Sequence, residues 1–157
     1  MRRSLAFALG MLIASGCGGD EDNPRVAFVR AADAICRESQ ERAQPLEERA
    51  RELAEKDPDF RSRKPALAGR IGREVSAIRA DADRELAALT PPADDSEDVE
   101  AWLDVRRRLT DAGFAYADAE ARGDVDATLR LREPIRRYSL LNSQRASALG
   151  LDDCALS

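Results

Sequence analysis

Apolar positions recur at spacings of three and four along most of the chain, and four such stretches follow one another from residue 24 onward. In the first, Val26, Val29, Ala32 and Cys36 form a stripe that continues through Ala43, Leu46, Ala50 and Leu53, the pattern of a helix that buries one face. Pro45 interrupts it. Its ring removes a backbone donor and disfavours helix at Gln44, so a kink or a break into two helices is expected there. Asp57-Pro58-Asp59 and the basic stretch from Arg61 to Lys64 read as a loop, after which Pro65 suits the first turn of a second helix. There Leu67, Ile71, Val75, Ile78, Ala82, Leu86 and Leu89 are separated by 4, 4, 3, 4, 4 and 3 residues, a mean close to the helical repeat of about 3.6. Thr90-Pro91-Pro92 ends this helix.

Asp94 and Asp95 are placed to cap a third helix, with Glu97 in the capping-box position. Its stripe is Trp102, Val105, Leu109, Ala112, Tyr116 and Ala119, with Arg106, Arg107 and Arg108 largely outside it. Gly123 stops the helix, and Asp124 can cap the next one at once. The fourth stripe is Val125, Thr128, Leu131, Ile135, Tyr138 and Leu141, with a bend or restart expected near Pro134 and an end near Leu149-Gly150. Short connections make successive helices antiparallel. The expected fold is therefore all-α, an up-down-up-down four-helix bundle with helix one kinked or broken near Pro45.

The N-terminus carries a different pattern. Arg2 and Arg3 precede an apolar stretch from Leu5 to Ala14, and small residues then lead into Cys17, the order of a signal peptide. The stretch is about half the roughly 20 residues that a membrane-spanning helix requires. Ala14-Ser15-Gly16-Cys17 resembles the bacterial lipobox, with Ala14 where Leu is usual. This assigns residues 1–16 to a lipoprotein signal peptide, 17–24 to an acylated Cys17 (diacylglycerol, with palmitate) and a flexible acidic spacer, and 25–157 to the bundle domain. Plain secretion is the alternative, leaving Cys17 as an odd thiol. A twin-arginine signal fits Ser4-Leu5-Ala6 poorly.

With Cys17 spent on lipid, Cys36 and Cys154 remain, and an even pair in an oxidising compartment reads most simply as a disulfide. A four-residue extended tail folding back onto helix one would bring them together. A catalytic or redox thiol is the alternative, with neither a CxxC spacing nor a His base to support it.

Cleavage removes two of the 25 basic residues and none of the 30 acidic ones, so the expected mature chain carries 23 against 30. That balance speaks against nucleic acid as a partner. The chain has no His, and Met1 and Met11 leave with the signal peptide. Ordinary haem ligation, copper sites of the His or Met kind, the Ser-His-Asp triad and Cys-His catalysis are thereby excluded, and two thiols are too few for a zinc-cysteine cluster. The sequence also has no phosphate-binding glycine loop and no calcium loop. No cofactor or metal is expected, and no catalytic residue is assigned. Carboxylates alone survive this filter: Glu74, Asp81 and Glu85 on helix two and Asp111, Asp118 and Glu120 on helix three, read first as solvated surface. Arg106–Arg108 and Arg136-Arg137 are candidates for an anionic headgroup or polymer, again with exposed helix surface as the simpler reading.

Ala31-Ala32-Asp33-Ala34-Ile35-Cys36-Arg37, the Leu89–Pro92 stretch before Trp102-Leu103, and the ending Gly150-Leu151-Asp152-Asp153-Cys154 together resemble a group of actinobacterial lipoproteins and secreted proteins. That group carries an ADAIC motif and a Gly-Leu-x-x-Cys ending. The resemblance implies a helical, disulfide-linked envelope protein and brings no activity with it. The functional expectation is a non-catalytic binding or structural protein, lipid-anchored on the extracytoplasmic face of the cell membrane, whose partner is an envelope protein, a small molecule or a polymer. The alternatives are a carboxylate-based envelope hydrolase and an accessory subunit of a transporter or sensor.

Overall fold

The structure, a computed structural model, describes residues 23–156. The expected signal peptide, Cys17 and the expected spacer up to residue 22 lie outside the described residues. Within them the chain is helical throughout: α1 Pro24–Lys56, α2 Phe60–Arg63, α3 Pro65–Ala87, a 3₁₀ turn Ala93–Asp95, α4 Ser96–Ala121, α5 Val125–Leu149 and α6 Asp152–Ala155. The long helices pack in sequence, α1 on α3, α3 on α4 and α4 on α5, while α6 bridges α5 and α1.

Helix boundaries follow local chemistry. Asn23 caps α1 by accepting a hydrogen bond from the Arg25 N–H at 2.9 Å, with Pro24 in the first turn where its missing donor costs nothing. α1 then continues through Pro45 to Lys56, so the expected break does not occur. Buried contacts hold the helix together on the Ala43 side of the proline, whose own ring is exposed. α5 likewise passes Pro134 without restarting. Gly123 (φ 67°) turns the chain between α4 and α5, and the Asp124 carboxylate accepts from the Ala127 N–H at 2.9 Å. Gly150 (φ 77°) closes α5, and the Leu151 N–H reaches back to the Ala146 carbonyl at 2.9 Å, a Schellman ending.

Three expectations are corrected. The loop after α1 contains a helical turn, α2, because Phe60 is buried and pins it to the bundle. Asp95 does not cap α4 through its side chain; its carboxylate pairs with Arg25 at 2.6 Å, tying the start of α1 to the start of α4. The C-terminal tail is not extended. It forms α6, whose first N–H groups at Asp153 and Cys154 donate to Asp33 of α1 at 3.0 and 3.4 Å. Arg37 pairs with Asp153 at 2.9 Å, and the Asn142 side chain on α5 donates to the Cys154 carbonyl at 3.1 Å.

This clamp sets the Cys36–Cys154 disulfide, with Cα atoms 5.1 Å apart. Phe28, Ala32, Leu86, Val99, Trp102, Ala146, Leu149 and Leu151 bury it. The disulfide and this core occupy one end of the bundle, where the start of α1, the end of α3, the start of α4 and the end of α5 meet. The opposite end is held differently, by close approach of α3 and α4. A Cβ at Gly69 would stand 2.5 Å from the Ala117 carbonyl oxygen and 2.6 Å from the Ala121 nitrogen. Helix propensity alone would make Gly69→Ala stabilising by about 1 kcal/mol. Because the obstacle is backbone, the variant is expected instead to lose about 1 to 3 kcal/mol in urea denaturation.

Candidate functional site

Among the hollows of the described residues, two stand out, one by its volume and one because five helices wall it. The larger, of about 650 Å³, lies on the outer face of α3 and α4 and is walled by Asp83, Arg84, Glu100, Asp104 and Arg107 with Ala80, Ala87 and Leu103. None of those residues is fully buried, so it is a surface trough. The second, of about 240 Å³, draws its walls from five helices: Glu47 and Ala50 of α1, Phe60 and Arg61 of α2, residues of α3 and α4, and Ile135 of α5. Phe60, Ala68, Ile71, Ser76 and Glu120 in its lining are buried. This one enters the interior.

The cavity follows from side-chain size. On α3 and α4, Gly72, Ser76 and Gly113 let the two backbones approach, so the floor lies low; a Cβ at Gly113 would meet the Ser76 hydroxyl at 2.9 Å. On α5 the buried residues Asn142, Ala146 and Leu149 all lie toward its C-terminal end, whereas Val125 is 63 % exposed and Leu129 50 %. The first half of α5 therefore leaves the space above the floor unfilled. The expected burial of Val125 is corrected accordingly.

Two ion pairs frame the cavity. Arg79 of α3 donates to Glu47 of α1 at 3.0 Å, and Arg61 of α2 pairs with Oε1 of Glu120 on α4. Their settings differ. The Arg61 and Arg79 side chains are 53 % and 39 % exposed, at the mouth, whereas that of Glu120 is 8 % exposed. Glu120 Oε2 has no hydrogen-bond partner among the described residues, and a Cβ at Gly72 on the cavity floor would lie 4.0 Å from it. Among the described residues no fully buried side-chain oxygen or nitrogen lacks a partner, so Oε2 keeps some exposure, and Glu120 lines the cavity.

Of the six carboxylates singled out in the sequence, only Glu120 enters this site. Glu74, Glu85 and Asp111 are exposed, Asp81 pairs with Arg84 and Arg42, and Asp118 pairs with Arg73. No group of three or more potential metal-binding side chains occurs among the described residues. No helix among them is long and apolar enough to cross a membrane.

The arginine runs divide. Arg106 is buried rather than outside the packed face: its Nε donates to Asp83 at 2.7 Å, its guanidinium lies 5.4 Å from the Trp102 ring centre, and Thr110 donates to the other Asp83 oxygen at 2.7 Å. Trp102, Arg106, Thr110, Gly113 and Ala117 form a second stripe on α4. Their spacings of 4, 4, 3 and 4 were legible, but polar and small residues concealed the stripe. Arg107 and Arg108 pair with Asp104, and Arg136 with Glu133.

Arg137 stacks on Tyr138 at 5.0 Å and donates to its hydroxyl at 3.3 Å. That hydrogen bond first, and one from Arg108 second, hold the phenol below its ordinary 10.0. Both arginines favour the phenolate, so their contribution to stability is absent at neutral pH and appears as pH rises through the lowered value. Ultraviolet titration should show a phenol ionising below pH 10.0, a step that Tyr138→Phe removes.

No family model, curated protein or solved structure matches this chain.

Proposed function

We propose that the protein is a lipid-anchored extracytoplasmic binding module that holds a small, largely apolar molecule in the cavity between α1 and α5, without catalysing a reaction. The observation that carries this is the division of the bundle. One end is closed inside by a disulfide and a packed core and carries a groove of about 350 Å³ whose lining, Leu149 apart, is not buried; the other keeps a hollow of about 240 Å³ that reaches the interior. Ligand sites between bundle helices follow from such local underpacking.

The lipobox pattern at Ala14–Cys17 and the resemblance to actinobacterial envelope lipoproteins support the anchored placement, and a buried disulfide is at home in an oxidising compartment. In this reading the closed end, where α1 begins, adjoins the tether. Glu47 and Ala50 lie about 35 to 39 Å further along α1 at 1.5 Å per residue, so the cavity stands away from the membrane.

Equilibrium dialysis with radiolabelled indole against the mature protein in nanodiscs tests the reading. One saturable site is expected, and Ala50→Trp, which places a large ring in the cavity, should abolish it. Equal uptake by the two proteins, or uptake no greater than by empty nanodiscs, would refute a cavity site. A second reading, a carboxylate hydrolase, draws on Glu47 and Glu120 lining one cavity. Turnover of a glycoside substrate that Glu120→Gln eliminates would favour it.

A further inference from the structure

The deepest charged atom in the cavity is an oxygen of Glu120, and its position specifies what kind of head group enters first. The Glu120 side chain is 8 % exposed, and only Oε1 is occupied, by Arg61. The second oxygen faces Gly72 of a floor that also holds Gly113 and Ser76, whose hydroxyl donates to the Gly72 carbonyl at 3.0 Å. A carboxylate oxygen is purely an acceptor, so its complement is an N–H or O–H donor, and a charged donor makes the stronger bond. Arg61 and Arg79 are roughly half-exposed at the mouth, where water screens them and each is already paired. A ligand anion would have to leave its charge at that wet rim or bring it against the buried carboxylate. A ligand ammonium meets the carboxylate directly, inside.

We infer that the cavity selects a small amine, an ammonium group on an apolar body, with the ammonium donating to Glu120 Oε2 and the body against Ile71, Tyr116 and Ile135. The volume of about 240 Å³ suits a body of roughly one ring or a short branched chain. This rests on the cavity being the ligand site, as proposed above, and adds the chemistry of its occupant.

The test is equilibrium dialysis of benzylamine, benzyl alcohol and benzoate, three probes of one shape, against the mature protein in phosphatidylcholine nanodiscs with empty nanodiscs as the blank. Benzylamine should bind best, by about tenfold or more over benzyl alcohol, the margin of a charge-assisted over a neutral hydrogen bond. Glu120→Gln should remove that margin. Arg61→Gln should act in the opposite direction: freed of its arginine, Glu120 offers its whole charge, and benzylamine should bind several-fold more tightly. A purely structural Arg61–Glu120 pair would give no such gain. Benzoate binding as well as benzylamine, or benzyl alcohol binding equally well and indifferent to Glu120→Gln, would overturn the amine while leaving the cavity site standing. Failure of all three probes to bind would overturn both.

Discussion

Replacing both bridged cysteines, as Cys36→Ala with Cys154→Ala, is expected to lower the unfolding free energy by about 4 to 5 kcal/mol. The bridge joins residues 118 apart in sequence, and closing a loop of that size restricts the unfolded chain by about this amount in the loop-entropy account. Alanine is chosen because both cysteines are fully buried, and it introduces no new polar group into the core. With a slope of about 2 kcal/mol/M in urea, the midpoint should fall by about 2 M. α6 should loosen with it, since only the polar contacts of Asp33, Arg37, Gln40 and Asn142 and the packing of Leu151 would then hold that short helix. Hydrogen exchange at Asp153 to Ala155 reads this directly. A loss below 1 kcal/mol would mean that these polar contacts already keep the two ends of the chain together.

The second large effect belongs to the buried pair Arg106 and Asp83. Both are nearly excluded from water, with side chains 6 % and 15 % exposed. Arg106 also reaches Cys36 Sγ at 3.8 Å. Removing either partner strands a charge in a dry setting, so Arg106→Met and Asp83→Leu should each cost about 3 to 5 kcal/mol in urea denaturation. The double variant should recover most of that loss, because desolvating two charges offsets much of what their attraction provides. A double-mutant cycle isolates the coupling. Single-variant losses that simply add would show that the pair does not act as a unit.

Why the sequence revealed the frame and hid the site is visible in particular residues. Long apolar repeats such as Leu67 to Leu89 specify a helix whatever surrounds it, and Gly123-Asp124 and Leu149-Gly150 end elements for local steric reasons, so these features were legible. The disulfide followed from parity. What escaped was decided by tertiary partners. Asp95 can serve as a cap or as the mate of Arg25, and only the tertiary fold, which brings the start of α1 beside the start of α4, selects the second. Phe60 looked like a loop residue until the bundle offered it a place. The α3–α4 seam is made of Gly69, Gly72, Ser76, Gly113 and Ala117, whose small size carries no hydrophobic signal. Glu120 was one carboxylate among 30 acidic residues, and nothing along the chain marks it as buried. Its role arises because Gly72 opposite it is small and α5 stands off. Pro45 misled in the other direction: one missing backbone hydrogen bond costs less than the packing gained by a continuous α1.

The most direct test of a lipid-tethered module carrying its ligand between α1 and α5 is native mass spectrometry of the protein released gently from its own envelope. The account predicts a chain that begins at an acylated Cys17, contains no free thiol at Cys36 or Cys154, and carries one small basic adduct that is absent from the Ala50→Trp variant. A chain with Cys17 unmodified, or an adduct retained equally by the cavity-filled variant, would contradict it.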